Sequence, residues 1–169
     1  MKSLLTNTFG FDSLCFVCDE RNEAGLRQRF FLDDETNTVK AEIAPGAGHS
    51  GAPSYAHGGF SMAVLDDAMA WAVIAVEKKF GLSRHIEFDF QRPVKIDRTY
   101  QVEAWIHEAE AGQVTARAEI RDSRGRVLLA ATGRYIVMTM EQTTQAIGAD
   151  ATSAAAYTSN AESMTEAPA

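Results

Sequence analysis

One long apolar segment constrains this chain more than any other feature. The residues from Phe60 to Val76 are almost all apolar, and they predict a helix from about Gly59 to Lys79 with Gly81 as its stop signal. A helix that is apolar on nearly every side needs cover on most of its surface. Yet Asp66 and Asp67 stand near its middle, and a buried carboxylate is costly unless it is paired, solvated or protonated. Either one aspartate faces solvent, or one performs chemistry.

Strand-like segments lie on both sides of this helix. Two short strands are predicted at 26–34 and 38–45, with a loop at 45–54. Four strands are predicted after the helix, at 84–94, 99–110, 113–123 and 126–138. Residues 1–25 have the pattern of an irregular or short helical lead-in. We therefore predict an α+β domain over residues 1–140, in which an antiparallel sheet wraps the one long helix. A second copy of the chain is the expected source of the remaining cover.

Composition and charge narrow the function classes. Residues 141–169 are rich in Ala, Ser and Thr, contain acidic residues but no Lys or Arg, and are predicted to be a disordered tail. The formal charge of −7 argues against a nucleic-acid partner. The N-terminus does not have the pattern of a secretory leader. The predicted apolar helix is expected to be too short, and too interrupted by charged residues, to cross a bilayer. We expect a cytoplasmic protein without a membrane partner.

The only two cysteines, Cys15 and Cys18, form a C-x-x-C pair. One such pair supplies too few ligands for an ordinary structural zinc site. The pattern favours structural or incidental thiols and leaves redox and metal roles open. The histidines do not fall at metal-binding spacings, so the sequence predicts neither a metal site nor a cofactor.

The residues that can carry chemistry are His57, Gly58, Gly59, Asp66 and Ser83. Backbone N–H groups at a helix start suit a developing oxyanion, and glycine lets a substrate approach the backbone closely. Asp66 lies eight residues beyond Gly58, which is about 12 Å along a helix. One carbonyl cannot touch both, but two antiparallel helices from two subunits could bring them together. A capped turn, a partly exposed aspartate and an ordinary hydroxyl remain the alternatives.

The segment "HGGFSMAVLDDAM" resembles the signature of the PaaI-like acyl-CoA thioesterases of the hotdog superfamily. The segments "HSGAPSYAHGG", "CFVCDERNEAGL" and "SRHIEFDFQRPV" are also similar to members of that group, so the resemblance spans roughly residues 15–138. It implies a hotdog fold, a homodimer or homotetramer whose subunits share the active site, and hydrolysis of an acyl-CoA or, as a second choice, an acyl-carrier-protein thioester. It gives Asp67 no catalytic role.

The resemblance also implies roles for individual residues. Asp66 would be the general base or the nucleophile, and the Gly58 amide would be the oxyanion hole. His57 would fix that turn, Ser83 would help to place the attacking water, and His49 would lie near the thioester.

The substrate-binding residues follow from the chemistry of coenzyme A. Its phosphates need basic residues, for which Arg84, Arg92, Lys95 and Arg98 are the candidates, although a solvated charged turn is the alternative. The acyl pocket would include Phe60, Met69 and Trp71, unless these are plain core residues, and Gly59 would let the substrate approach the backbone. Two other functions stay open. One is a non-catalytic acyl-thioester-binding protein with the same fold, and the other is a hotdog hydratase or dehydratase.

Overall fold

A computed structural model describes residues 2–6, 14–138, 142–143 and 145. In chain order, the elements of this described part are β1 (Lys2–Leu5), β2 (Phe30–Asp33), β3 (Thr38–Ile43), a 3₁₀ turn (Ala47–His49), β4 (Ser50–Ala52), β5 (Tyr55–Ala56), α1 (Gly58–Glu77), β6 (Phe80–Phe90), β7 (Tyr100–Glu110), β8 (Gln113–Arg121) and β9 (Val127–Met138).

The strands form one large sheet and one small hairpin. Seven strands pair antiparallel in the order β1-β2-β3-β7-β8-β9-β6, and β4 pairs with β5 beside the start of α1. The helix packs across the large sheet against β2, β3, β6, β7, β8 and β9. One long helix wrapped by an antiparallel sheet is the hotdog architecture, so the predicted fold class is confirmed.

Burial along α1 follows its apolar sequence. Val64, Leu65, Met69 and Val73 are fully buried, and each such side chain contributes about 1.5–3 kcal/mol to folding. The facing strands carry small buried residues, which let the helix axis approach the sheet: Ala104, Ala116, Ala118 and Ala131. One stripe of the helix, containing Gly59, Met62 and Asp66 at helical spacing, remains only partly covered.

Three local expectations are wrong. Lys2–Leu5 forms a strand paired with β2, although its four residues carry too little pattern to predict one. The predicted loop at 45–54 contains the 3₁₀ turn and β4. The helix ends before Gly81 because Lys78 takes the left-handed C-cap conformation, with φ 55°, and β6 begins at Phe80.

The expectation that α1 is too short to span a bilayer is also wrong. By length and composition alone its 20 residues would suffice, but half of the apolar window is buried inside the fold, as in the core helix of a globular domain. The predicted domain end at 140 and almost all of the predicted tail at 141–169 lie outside the described residues, so both stay predictions.

Candidate active site

Asp66 is a carboxylate on the partly covered stripe of α1 with two hydroxyl donors. The Ser83 hydroxyl donates to its Oδ1 at 3.0 Å from β6, and the Tyr135 hydroxyl donates to the same atom at 3.1 Å from β9. Within the described chain, Oδ2 accepts no hydrogen bond. Two predicted site residues, Asp66 and Ser83, are therefore in contact, and one carboxylate oxygen remains for a substrate or a water.

Tyr135 was missed by the sequence analysis. Its side chain is fully buried, and burial, together with the neighbouring charge of Asp66, raises the pKa of the phenol well above its ordinary value. The hydroxyl therefore stays protonated and acts as a hydrogen-bond donor. The inward alternation of Ala131, Gly133 and Tyr135 along β9 was the available signal, but it does not show which point of the helix the tyrosine meets.

The start of α1 is shaped by His57. This residue is the N-cap, and its Nδ1 accepts the Gly59 N–H at 2.9 Å. A first-turn N–H has no acceptor within its own helix, and the cap uses that of Gly59 but not that of Gly58. A Cβ atom on Gly58 would lie 3.3 Å from the Phe90 ring. His57 therefore caps and orders this turn, and the role of the Gly58 N–H stays a prediction.

His49 and Phe60 lie together beside this turn. Their rings stack with centroids 4.6 Å apart, and the carbonyl oxygen of His49 accepts the backbone N–H of His57 at 2.8 Å. With Gly59 and Phe16 they line a cleft of about 470 Å³. Four predicted residues, His49, His57, Gly59 and Phe60, therefore line one cleft. The aromatic contribution of Phe16, from the N-terminal segment, was not foreseen.

A second cleft, between the segment after β6 and the β8–β9 turn, is basic. It has a volume of about 640 Å³ and carries five cationic side chains, Arg92, Lys95, Arg98, Arg124 and Arg126. Asp122 also lines it and forms an ion pair with Arg126 at 2.6 Å. The predicted Arg92 and Lys95 are thus brought together. The turn between β8 and β9 adds Arg124 and Arg126, which are far from Arg92 and Lys95 in the sequence.

A smaller cleft joins the helix start to the basic one. Its volume is about 350 Å³, and Gly58, Phe90 and Arg92 line it. Because Arg92 and Pro93 border both clefts, the Gly58 cleft and the basic cleft are neighbours. Arg84 borders neither cleft. It lies at the irregularity in β6 between Ser83 and His85, about 20 Å along the strand from Phe90.

Asp67 points to a different neighbourhood from Asp66. Cys15 Sγ lies 3.5 Å from its Oδ1, and burial raises the pKa of the carboxyl to about 8. The hydrogen bond with Cys18 lowers the pKa of Cys15, and the same contact raises that of Cys18. The C-x-x-C pair is therefore packed against the central helix.

The two halves of the predicted site do not meet within one chain. Asp66 lies about 12 Å along α1 from Gly58, too far for one thioester carbonyl to contact both. A second copy, aligned antiparallel along the exposed stripe of the helix, would bring each Gly58 towards the other copy's Asp66.

Comparisons with known proteins agree with this architecture. The sequence profile of the thioesterase superfamily matches residues 54–129, a segment that includes His57, Gly58, Asp66 and Ser83. No curated protein sequence matches the chain.

Solved structures show the same fold at low sequence identity. A thioesterase superfamily protein, RHA08564, is 19% identical with a TM-score of 0.64, and the match covers 68% of this chain but only 56% of that one. A hypothetical thioesterase from Streptococcus pneumoniae, crystallised with coenzyme A, is 17% identical with a TM-score of 0.57, covering 60% of this chain and 81% of its own. PaaI from the phenylacetic acid degradation operon of E. coli is 16% identical with a TM-score of 0.57, covering 61% and 74%.

Proposed function

The thioesterase superfamily profile matches residues 54–129 of this chain, and the fold is the hotdog fold. From these findings we propose that the chain is a member of that superfamily and hydrolyses an acyl-CoA thioester to a free acid and coenzyme A. The observation that carries the proposal is the Asp66 carboxylate, which sits in an apolar helix with its Oδ1 held by Ser83 and Tyr135. Two neutral donors orient a carboxylate without neutralising it, as a base or nucleophile requires.

The proposed reaction uses both ends of the site. Asp66 of one subunit takes a proton from water as the oxygen attacks the thioester carbon, or attacks that carbon itself to form an anhydride that water then opens. The carbonyl oxygen gains negative charge, which the Gly58 N–H of the other subunit stabilises. Collapse of the intermediate expels the coenzyme A thiolate, which takes up a proton.

The preference for coenzyme A rests on the cleft system. From the Gly58 end, the small cleft leads past Arg92 to the basic cleft with Lys95 and Arg98. This order of features suits a ligand with a thioester at one end and phosphates at the other, since clustered cations bind phosphate. The coenzyme A bound to the Streptococcus pneumoniae thioesterase supports the same ligand class. We propose that Phe60 and His49 border the acyl group.

The test is thiol release from a panel of acyl-CoA esters by the wild-type chain and by Asp66→Asn. The variant keeps the size of the side chain and removes its charge, so turnover is expected to fall by about 10²–10⁴ with the fold intact. Asp34→Asn, an exposed turn residue bonded to Ser3, is the matched control and should keep wild-type turnover. Wild-type activity in Asp66→Asn, or no hydrolysis of any ester by the wild-type chain, contradicts the proposal and favours the binding-protein alternative.

A further inference from the structure

A cluster outside the proposed catalytic site joins the N-terminal segment to the helix. The C-x-x-C pair supplies two soft ligands, and the fold places a third acidic group beside them, the Asp67 carboxylate from α1. One ligand atom from each of these residues lies within 4.8 Å of the other two. We propose that Cys15, Cys18 and Asp67 form a binding site for a thiophilic divalent cation of the Zn²⁺ class.

The distances suit tetrahedral coordination. Bonds of about 2.3 Å to sulfur and about 2.0–2.2 Å to oxygen place those two ligand atoms about 3.5 Å apart. Cys15 Sγ and Asp67 Oδ1 are 3.5 Å apart. The widest pair would close by about 1 Å around an ion, which side-chain rotation can supply in a segment that is only partly buried.

The backbone of the cysteine turn supports a charged sulfur. The N–H of Cys18 points to Cys15 Sγ at 3.5 Å, and the N–H of Asp19 donates to the Cys15 carbonyl at 3.3 Å. The second contact closes a single turn that brings the two cysteines to the same side. A backbone N–H directed at a thiolate is a supporting contact that steadies a metal ligand.

The burial of the Asp67 carboxylate is an independent observation that favours a cation at this position. Asp67 Oδ2 is buried and has no hydrogen-bond partner within the described chain. A buried carboxylate oxygen without a partner is costly, and native folds seldom keep one. A cation between this carboxylate and the two sulfurs would remove that cost. Water would hydrogen-bond the oxygen but would leave three acidic groups together.

The donor set selects the kind of ion. Two thiolates and one carboxylate favour Zn²⁺ or Co²⁺ over Mg²⁺ and Ca²⁺, which need more oxygen ligands. The partly buried cysteines leave a fourth position for solvent. Binding needs the deprotonated forms of both thiols and of the Asp67 carboxyl, so any proton that these three groups hold would be released. It would also fasten Phe16, and with it one wall of the cleft beside His57, to the central helix.

The experiment uses the full chain, reduced and stripped with a chelator, and titrates it with Co²⁺ and then Zn²⁺. We expect one Co²⁺ per chain, a near-ultraviolet thiolate-to-cobalt charge-transfer band, tetrahedral visible bands and displacement of cobalt by zinc. Cys15→Ser and Cys18→Ser should each weaken binding by at least about 100-fold, and Asp67→Asn by about 10-fold. Zinc should raise the melting temperature of the wild-type chain.

Glu20→Gln is the matched control, because Glu20 is an exposed acid in the same segment that pairs with Arg29. It should bind cobalt as the wild type does. Circular dichroism would show whether a variant fails to fold. In that case the cobalt spectrum of the wild-type chain alone decides whether the metal site exists. Three results would overturn the site: no charge-transfer band at tens of micromolar Co²⁺, undiminished binding in both serine variants, or a Cys15–Cys18 disulfide that forms under reducing conditions with zinc in excess.

Discussion

Two neighbouring aspartates meet different partners because a helix turns by about 100° per residue. The carboxylate of Asp66 faces Ser83 and Tyr135, while that of Asp67 faces Cys15. The first keeps an oxygen free for chemistry on the exposed stripe, and the second is enclosed by the N-terminal segment. In the proposed mechanism, catalysis therefore depends on the two hydroxyls that orient Asp66.

Removing either hydroxyl should slow hydrolysis without unfolding the chain. Ser83→Ala and Tyr135→Phe each delete one donor to Oδ1, and a hydrogen bond to a charged group contributes about 1.5–3 kcal/mol. We expect kcat to fall by roughly 10- to 100-fold in each variant, measured on one accepted acyl-CoA with a melting curve beside it. If both variants retain the wild-type kcat, the hydroxyls do not orient the catalytic group.

Some residues of the candidate site could be predicted from the sequence alone, and others could not. The resemblance allowed Asp66 and Ser83 to be named as site residues, but it did not predict the hydrogen bond between them. Tyr135 could not be assigned, because its role depends on the pairing of β9 between β8 and β6. Likewise, the spacing of the two cysteines could not predict that Asp67 lies beside them, because Asp67 comes from helix α1, far along the chain.

At the scale of elements, the long helix and its flanking strands were predictable from periodicity, and the short elements were not. Strand β1 has four residues and β5 two, too few to show alternation. Such segments owe their structure to pairing rather than to their own pattern. In the proposed mechanism the helix start is essential, because the His57 cap orders the turn whose Gly58 N–H would stabilise the oxyanion.

Gly58→Pro tests that N–H selectively. Gly58 is the first residue of α1, where proline is well tolerated, and His57 already has the extended conformation, with φ −62° and ψ 138°, that a residue before proline requires. The substitution removes one donor, and kcat should fall by about 10²–10³ with the melting temperature nearly unchanged.

Gly58→Ala is the control for this change, because it keeps the N–H and only brings a Cβ to 3.3 Å from the exposed Phe90 ring. It should retain most of the activity. Equal losses in the alanine and proline variants would assign the effect to crowding at Phe90 and not to the lost donor.

At the scale of the whole molecule, the sheet ends in a long edge. β6 pairs with β9 on one side, and its other side has no partner strand within the described chain. It carries exposed apolar side chains at Leu82 and Phe90, 47% and 54% accessible. The free edge of this eleven-residue strand is a ready template for another strand. We propose that β6 of a second copy completes the sheet and places the two α1 helices side by side.

This arrangement predicts an assembly that is at least dimeric. Light scattering at micromolar concentration should give a mass of twice or four times the 18.4 kDa chain, because the α1 stripe and the β6 edge are both left uncovered in a single copy. An active species with the mass of one chain would refute the shared site.

The most direct test of the shared site is a mixed assembly of Asp66→Asn and Gly58→Pro subunits. The two chains, carrying different affinity tags, are co-expressed and purified through both tags. If each site takes Asp66 from one subunit and Gly58 from the other, a mixed dimer has one site with both defects and one intact site. The account predicts recovery of about half of the wild-type kcat per dimer, although each variant alone is nearly inactive. A mixed dimer as inactive as its parents would contradict it, because the two groups would then belong to one chain's own site.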